Sequence, residues 1–364
     1  MRWTRLLSGV ALAVTAGLTT VGCTSAPASS TNGSTPDTHP AVTVTQARQV
    51  FDSYIAASAR AATNNDQTAA LALTEGVQGA VVKSDYLYAN YYHARLPRYR
   101  YGTPTFYLPE QDRSARWFAA SVQRTLVAPR VSGLGPDVIA ASVAGVRLPA
   151  EGRVLMVFEQ ASTSRPWLLA STAQLAPGAS VPKLATDGNG YVRTLPLSTT
   201  TLLARPDVAG PLQAAVVDDG PASTAAGVVA SGPLTTGIYA AQDAPAPRSA
   251  QPSGDVRQWE LEGSKYTRFA LRTADGGALV LYPMYLNTTI EVPAELAESY
   301  PVHPGPAITI PPEFVPLLKR GTPAPRVRLI TQLALAFAAV DPPPGAGKIQ
   351  VIAIGGGPSY ASAS

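Results

Sequence analysis

Side chains able to carry chemistry are few and scattered in this chain. Lys, Arg, Asp and Glu make up 14% of 364 residues, with three histidines and one cysteine, against roughly 25% charged in an ordinary soluble domain. His39, His93 and His303 lie too far apart in sequence to suggest a metal centre, and the lone Cys23 excludes an internal disulfide or a Cys-rich metal site. No H-E-x-x-H, P-loop or strand-borne G-x-G-x-x-G occurs. Ser180-Val181-Pro182-Lys183 has the spacing of an acylating Ser/Lys pair, a chemistry that needs the two residues one helical turn apart. Pro182 instead sits in a Pro/Gly/Ser-rich stretch, Tyr88-Ala89-Asn90 lies on the wrong side of it, and no K-T-G follows. The near nucleophile elbow Gly357–Ala361 leaves no room for the helix that must follow it. Asp187–Gly190 lacks the downstream Glu of a calcium loop and reads as a turn. No catalytic residue, metal or cofactor is expected.

The densest chemical grouping is aromatic. Seven of the fifteen tyrosines fall between Tyr86 and Tyr107, interleaved with His93, Arg95, Arg98 and Arg100. Tyr offers flat apolar area with a hydroxyl, and both Tyr and Arg are enriched where proteins recognise partners. Tyr86, Tyr88, Tyr92, Arg98, Tyr99, Arg100 and Tyr101 therefore form a candidate patch for a glycan, an envelope protein or a small ligand. The competing structural reading has Tyr86, Tyr88 and Tyr92 covering a helix–sheet junction with the arginines snorkelling outward, and it is preferred. For an enzyme, the residue to watch is Glu159, the one carboxylate in the strand Arg153–Gln160, for which the sequence supplies no polarising partner.

The N-terminus reads as an address. Arg2 and Arg5 precede an uncharged apolar run, Leu6–Val21, too short and too rich in Ala, Gly and Thr for a membrane span, so it reads as a signal peptide. Thr20-Val21-Gly22-Cys23 resembles a lipobox, with Cys23 as the acylated residue, although Thr20 replaces the usual Leu. Ordinary cleavage after Ala26 or Ala28 is the competing reading. Loss of residues 1–22 removes two arginines and lowers the formal charge from +4 to +2. No basic cluster of the kind nucleic acid requires is present. Residues 23–42 are mostly Ser, Thr, Pro, Ala and Gly, which implies a disordered tether of about 25 Å r.m.s. span holding the protein at the extracytoplasmic face of the membrane.

Behind the tether the pattern is α+β. Thr43 and Gln46 form a capping box before Ala47, Val50, Phe51, Tyr54 and Ile55, an amphipathic helix continuing to Ala62. Asp66 can cap a shorter helix over Gln67–Glu75, and a looser one spans Gly79–Tyr92. Strands are expected at Thr103–Leu108, Arg116–Thr125, Arg153–Gln160 and Trp167–Leu175. The order recurs in the second half: Pro-interrupted helical stretches between Ser198 and Gln242, then a hairpin of Lys265–Thr273 and Ala278–Leu286 around Asp275-Gly276. A long alternating strand, Arg326–Val340, and a partner, Lys348–Ile354, close the chain before a Gly355–Gly357 tail. This predicts two tandem domains, 43–180 and 181–364, each with helices packed on a curved antiparallel sheet.

That element order resembles the nuclear-transport-factor-2-like and cystatin-like architectures. More specifically, the chain is similar to a family of uncharacterised actinobacterial surface lipoproteins. The resemblance is carried by Thr20–Cys23, the helix Ala47–Ala62, the block Thr103–Val122 and the hairpin Arg153–Leu175. It implies an α+β fold and a lipid-anchored envelope protein, and carries no catalytic residue or ligand across. The function expected is non-catalytic binding at the cell envelope; the alternative is a small-molecule enzyme using a conical pocket of such a fold.

Overall fold

The computed structural model describes residues 42–110, 116–127, 148–149, 151–242, 256–292, 308–319 and 327–364. The signal peptide, Cys23 and nearly all of the expected tether lie outside them. Val42, the last expected tether residue, is buried and shares a core cluster with Ala47 and Phe51. It sits just before the Thr43/Gln46 capping box that starts α1 (Val44–Asn64), where it and Ala47 occupy the positions of a hydrophobic staple. Asn65, in the left-handed conformation, ends the helix.

Asp66 caps α2 (Gln67–Leu71) as expected, but the helix stops short of Glu75. The backbone of Leu73 and Glu75 is bonded instead to Leu169 on both sides, so residues 73–75 run alongside a strand. Then α3 (Gly76–Tyr92) begins three residues earlier than the pattern suggests. Gly76 has φ of 56°, and a Cβ there would stand 3.0 Å from the carbonyl oxygen of Ala170. A glycine is what lets α3 begin against that strand.

Among the described residues ten antiparallel strands follow: β1 (Tyr99–Tyr101), β2 (Thr105–Tyr107), β3 (Arg116–Leu126), β4 (Glu151–Gln160), β5 (Leu168–Leu175), β6 (Val256–Gly263), β7 (Phe269–Arg272), β8 (Ala278–Glu291), β9 (Arg328–Asp341) and β10 (Gln350–Ala363). Between β5 and β6 lie α4 (Ala209–Asp219), α5 (Thr236–Gln242) and short 3₁₀ turns. The alternation read in β9 is realised: Leu333, Leu335, Phe337 and Ala339 enter one core, and Ala334, Ala336 and Ala338 another.

The strands of the two halves, expected in separate sheets, form one. Its order is β1-β3-β4-β5-β10-β9-β8-β6, with β2 beside β3 and β7 beside β8. The join is made by β10, which pairs with β9 along its length and with β5 through Ala353–Leu175 and Ile354–Gln174. The apolar pattern of this strand stops at Ile354; the strand itself runs on to Ala363 through the glycines. A Cβ on Gly355 would lie 2.0 Å from the Thr172 oxygen in β5. One on Gly356, whose φ is 131°, would lie 2.2 Å from the Ala334 oxygen in β9. Only residues without side chains fit between the two neighbours there.

The joined sheet folds back on itself. Trp117 of β3 and Phe269 of β7, distant in strand order, have ring centroids 4.3 Å apart. They belong to one core that takes Leu155 and Val157 from the first half and Leu279 and Leu281 from the second. The outer face of β3 and β4 packs Phe118, Val122, Met156 and Phe158 against α1. The outer face of β8 and β9 packs Tyr282, Met284, Leu335 and Phe337 against α4 and α5. The result is helix, sheet, sheet, helix, with α3 laid across β5, β10 and β9.

Gly355→Ala is expected to lower stability by about 3 kcal/mol or more, because backbone and not a flexible side chain must give way. Gly227→Ala, where a Cβ meets nothing within 4 Å, should stay within about 0.5 kcal/mol of the wild type. Urea unfolding midpoints of the two variants test the seam.

Candidate functional site

Part of the tyrosine and arginine segment encloses a cavity. α1, α3, β1 and the end of β3 surround about 130 Å³ of space lined by Tyr54, Tyr86, Arg98, Tyr99, Tyr101 and Arg124, among others. Tyr86 is buried in a small cluster with Ala61, Ala70, Ala89 and Leu96, and burial, with the negative charges of Asp66 and Asp85, pushes its hydroxyl pKa up. Burial raises the Tyr54 hydroxyl further. Arg98 is exposed at the edge and Tyr99 half-buried.

The other expected members stand elsewhere. Tyr88 and Tyr92 pack one turn apart on α3 with tilted rings, centroids 4.7 Å apart, and the Tyr92 hydroxyl donates to the Pro312 carbonyl at 3.2 Å. Arg100 is exposed on the alternate face of β1. Four of the seven residues are thus brought together and three are not.

Sequence reasoning missed Arg124. Its side chain is only 8% exposed, donates from Nη2 to Gln174 Oε1 at 3.1 Å and lies over the Tyr99 ring, 4.4 Å from its centroid. Gln174 in turn donates to the Pro149 carbonyl at 3.0 Å, so the arginine is held from behind. The signal was present: Phe118, Ala120, Val122 and Arg124 share one face of β3, and an arginine that continues a core-facing row must have a partner or a ligand.

A second cavity, of about 180 Å³, opens where the two halves of the sheet meet at the start of α3. Glu159 lines it, following Leu155 and Val157 on the inward face of β4. Beside it are Glu75, which precedes α3 without capping it, and Tyr266 and Thr267 from the β6–β7 connection. Burial first, and then the charge of Glu75, raises the Glu159 carboxyl to about 7 against a smaller opposing pull from the Thr267 hydroxyl bonded to it. Burial also raises Glu75. Tyr266 meets Tyr285 with ring centroids 6.1 Å apart, and burial and that contact raise its hydroxyl to about 12. Glu75 was not legible as a partner for Glu159, because the turn that carries it to β5 depends on Gly76.

Among the described residues no group of three or more His, Cys, Asp or Glu is placed to hold a metal ion. No described helix is long and apolar enough to cross a membrane. Residues 38–356 match the family model described as Domain of unknown function (DUF8094). No curated protein and no solved structure matches the chain.

Because the carboxyl pKa of Glu159 is raised in the folded state, native protein holds a proton that unfolded chain has released. Its contribution is complete below about pH 4.5 and is lost as pH rises through about 7. Glu159→Gln keeps the acceptor for Thr267 and cannot ionise. It should match the wild type in stability near pH 4 and exceed it by about 2–3 kcal/mol at pH 8. Paired denaturation curves across that range check the sign; a variant less stable at pH 8 would refute it.

Proposed function

The chain belongs to this family of unknown function, and we propose that it is a lipid-anchored, extracytoplasmic binding protein of the cell envelope that captures a ligand at the Tyr/Arg cavity. The observation that carries the reading is that Tyr86, Arg98, Tyr99 and Tyr101, separated in sequence by a helix end and a loop, line one cavity with the buried Arg124. Aromatic walls with a few fixed polar groups are the usual composition of a ligand pocket. A volume of about 130 Å³ admits a small group, such as the tip of a larger glycan or peptide, with Arg98 and Tyr99 at the edge to engage the rest. Residues 43–180 would form the binding unit and residues 181–364 a second unit, each supplying one helical layer.

Anchoring is proposed from Arg2 and Arg5, the apolar run and Thr20–Cys23. A diacylated or triacylated Cys23 holds the membrane stably where one chain would not. Nothing in the charge pattern supports nucleic acid as a partner.

The alternative reading is a small-molecule enzyme. It draws on Glu159, whose carboxyl near 7 can exchange a proton at neutral pH, as a general acid or base must. Glu75 beside it would be a second carboxylate, with the hydroxyl-bearing Tyr266 and Thr267 in the same cavity.

Two measurements test the proposal. Intact mass of the membrane fraction should show an acylated N-terminal cysteine, and Cys23→Ser should move the protein out of that fraction. Arg98→Ala combined with Tyr99→Phe, which keeps a ring over Arg124, should abolish retention of envelope-derived small molecules, read by native mass spectrometry, with the unfolding free energy within about 1 kcal/mol of wild type. Unchanged retention would dismiss the cavity as the binding site.

A further inference from the structure

The cavity at the start of α3 is independent of the Tyr/Arg one and has its own chemistry. We propose that it binds a small organic cation, an ammonium on a short apolar chain, held between Glu75 and Glu159 with Tyr266 and Thr267 beside them.

Charge is the first ground. Among the described residues neither carboxylate pairs with a cation: Glu159 has the Thr267 hydroxyl, and the Glu75 side chain leaves even its own helix end uncapped. The two are close enough to repel, and a cation between them relieves that repulsion while remaining solvated by carboxylate oxygens. The other titratable groups lining the recess are Lys265 and Tyr266 on the β6–β7 connection and Tyr282 on β8. Tyr282 turns its hydroxyl away to Gln213, and both phenols stay neutral well past pH 8. With Lys265 exposed on a flexible stem, the recess is net negative once both carboxyls ionise.

The walls decide what kind of cation fits. Tyr266 attracts ammonium groups through its ring face: the nitrogen of Lys265 lies 6.0 Å from the ring centroid. Val77, Phe269 and Leu281 add an apolar surface that a bare metal ion would leave unused and an alkyl chain would cover. Among the described residues no third carboxylate, histidine or cysteine joins the pair to make a metal-binding group, and calcium gathers six to eight oxygens. A cavity of about 150 Å³ accommodates benzene, so 180 Å³ suits an amine of about five to seven heavy atoms.

Binding must be linked to protons. The amine brings one positive charge to a pair of carboxyls that share less than two negative charges below pH 7, so it expels a proton from Glu159. Affinity should therefore climb by up to about tenfold per pH unit below 7 and level off above it.

The test is calorimetric titration of the full chain with n-butylammonium chloride at pH 6 and pH 8, in buffers of different ionisation enthalpy. n-Butanol and calcium chloride serve as comparison probes. The expected result is saturable butylammonium binding, tighter at pH 8, with net proton release at pH 6. Glu159→Gln should weaken it at least about fivefold at pH 8 and abolish the proton release. Equal affinity for butanol would reduce the recess to an apolar hole. Calcium binding that displaces the amine would make it a metal site, and heat from none of the three would remove the site altogether. Each of those results overturns the proposal. So does amine binding that Glu159→Gln leaves unchanged.

Discussion

Everything in this fold hangs from the contact between β10 and its two neighbours. A central strand normally carries side chains that stand clear of the strands beside it, about 4.8 Å away. At Gly355 and Gly356 the backbones of β5 and β9 come so near that a methyl group would fall within about 2 Å of a carbonyl oxygen on either side. The join lets strands of the two halves share one core, in which Trp117 meets Phe269. Without it, the inward faces of β3 and β4 would have no partner, and Trp117 could not reach Phe269.

Both candidate sites lie against α3. One gap opens where α3 starts beside β5, walled by Glu75 and Glu159. The other lies on the outer face, where α1 and α3 diverge over β1 and the end of β3, and Arg124 fills its floor. The helices are spacers as much as cover: α3 touches β5, β10 and β9, its first turn lines one cavity and its middle, through Val82 and Tyr86, the other.

The local elements were legible because their determinants are local. The Thr43/Gln46 box, Asp66 as a cap and the alternation of β9 were all readable from adjacent residues, and each appears in the structure. What escaped depended on contacts across the chain. Gly355–Gly357 reads as a flexible tail unless one knows that two strands squeeze it. β6, VRQWELEG, buries only Leu261, so this polar edge strand carries no alternating apolar pattern to read. Four of the seven patch residues share a cavity because β1 crosses the end of β3, a pairing with no mark in either segment. Arg124 and Glu159 were readable in part, each being the charged continuation of an apolar row, but their partners Gln174 and Glu75 come from elsewhere.

A chain with so few ionisable groups gives weight to where it buries them. Asp341 is fully buried at the end of β9, where burial raises its carboxyl to about 6 against a weaker opposing pull from the backbone of Ala204. It faces neither cavity, and its cost falls on stability alone. Glu159 carries a similar burden but faces a recess large enough for a ligand, beside a second carboxylate. Arg124 avoids the cost through Gln174 and Tyr99. Desolvation by itself therefore does not mark a site in this protein. What sets Glu159 apart is desolvation at a cavity wall with a like charge opposite: there the repulsion is relieved by a proton on Glu159 or by a cation that enters the cavity.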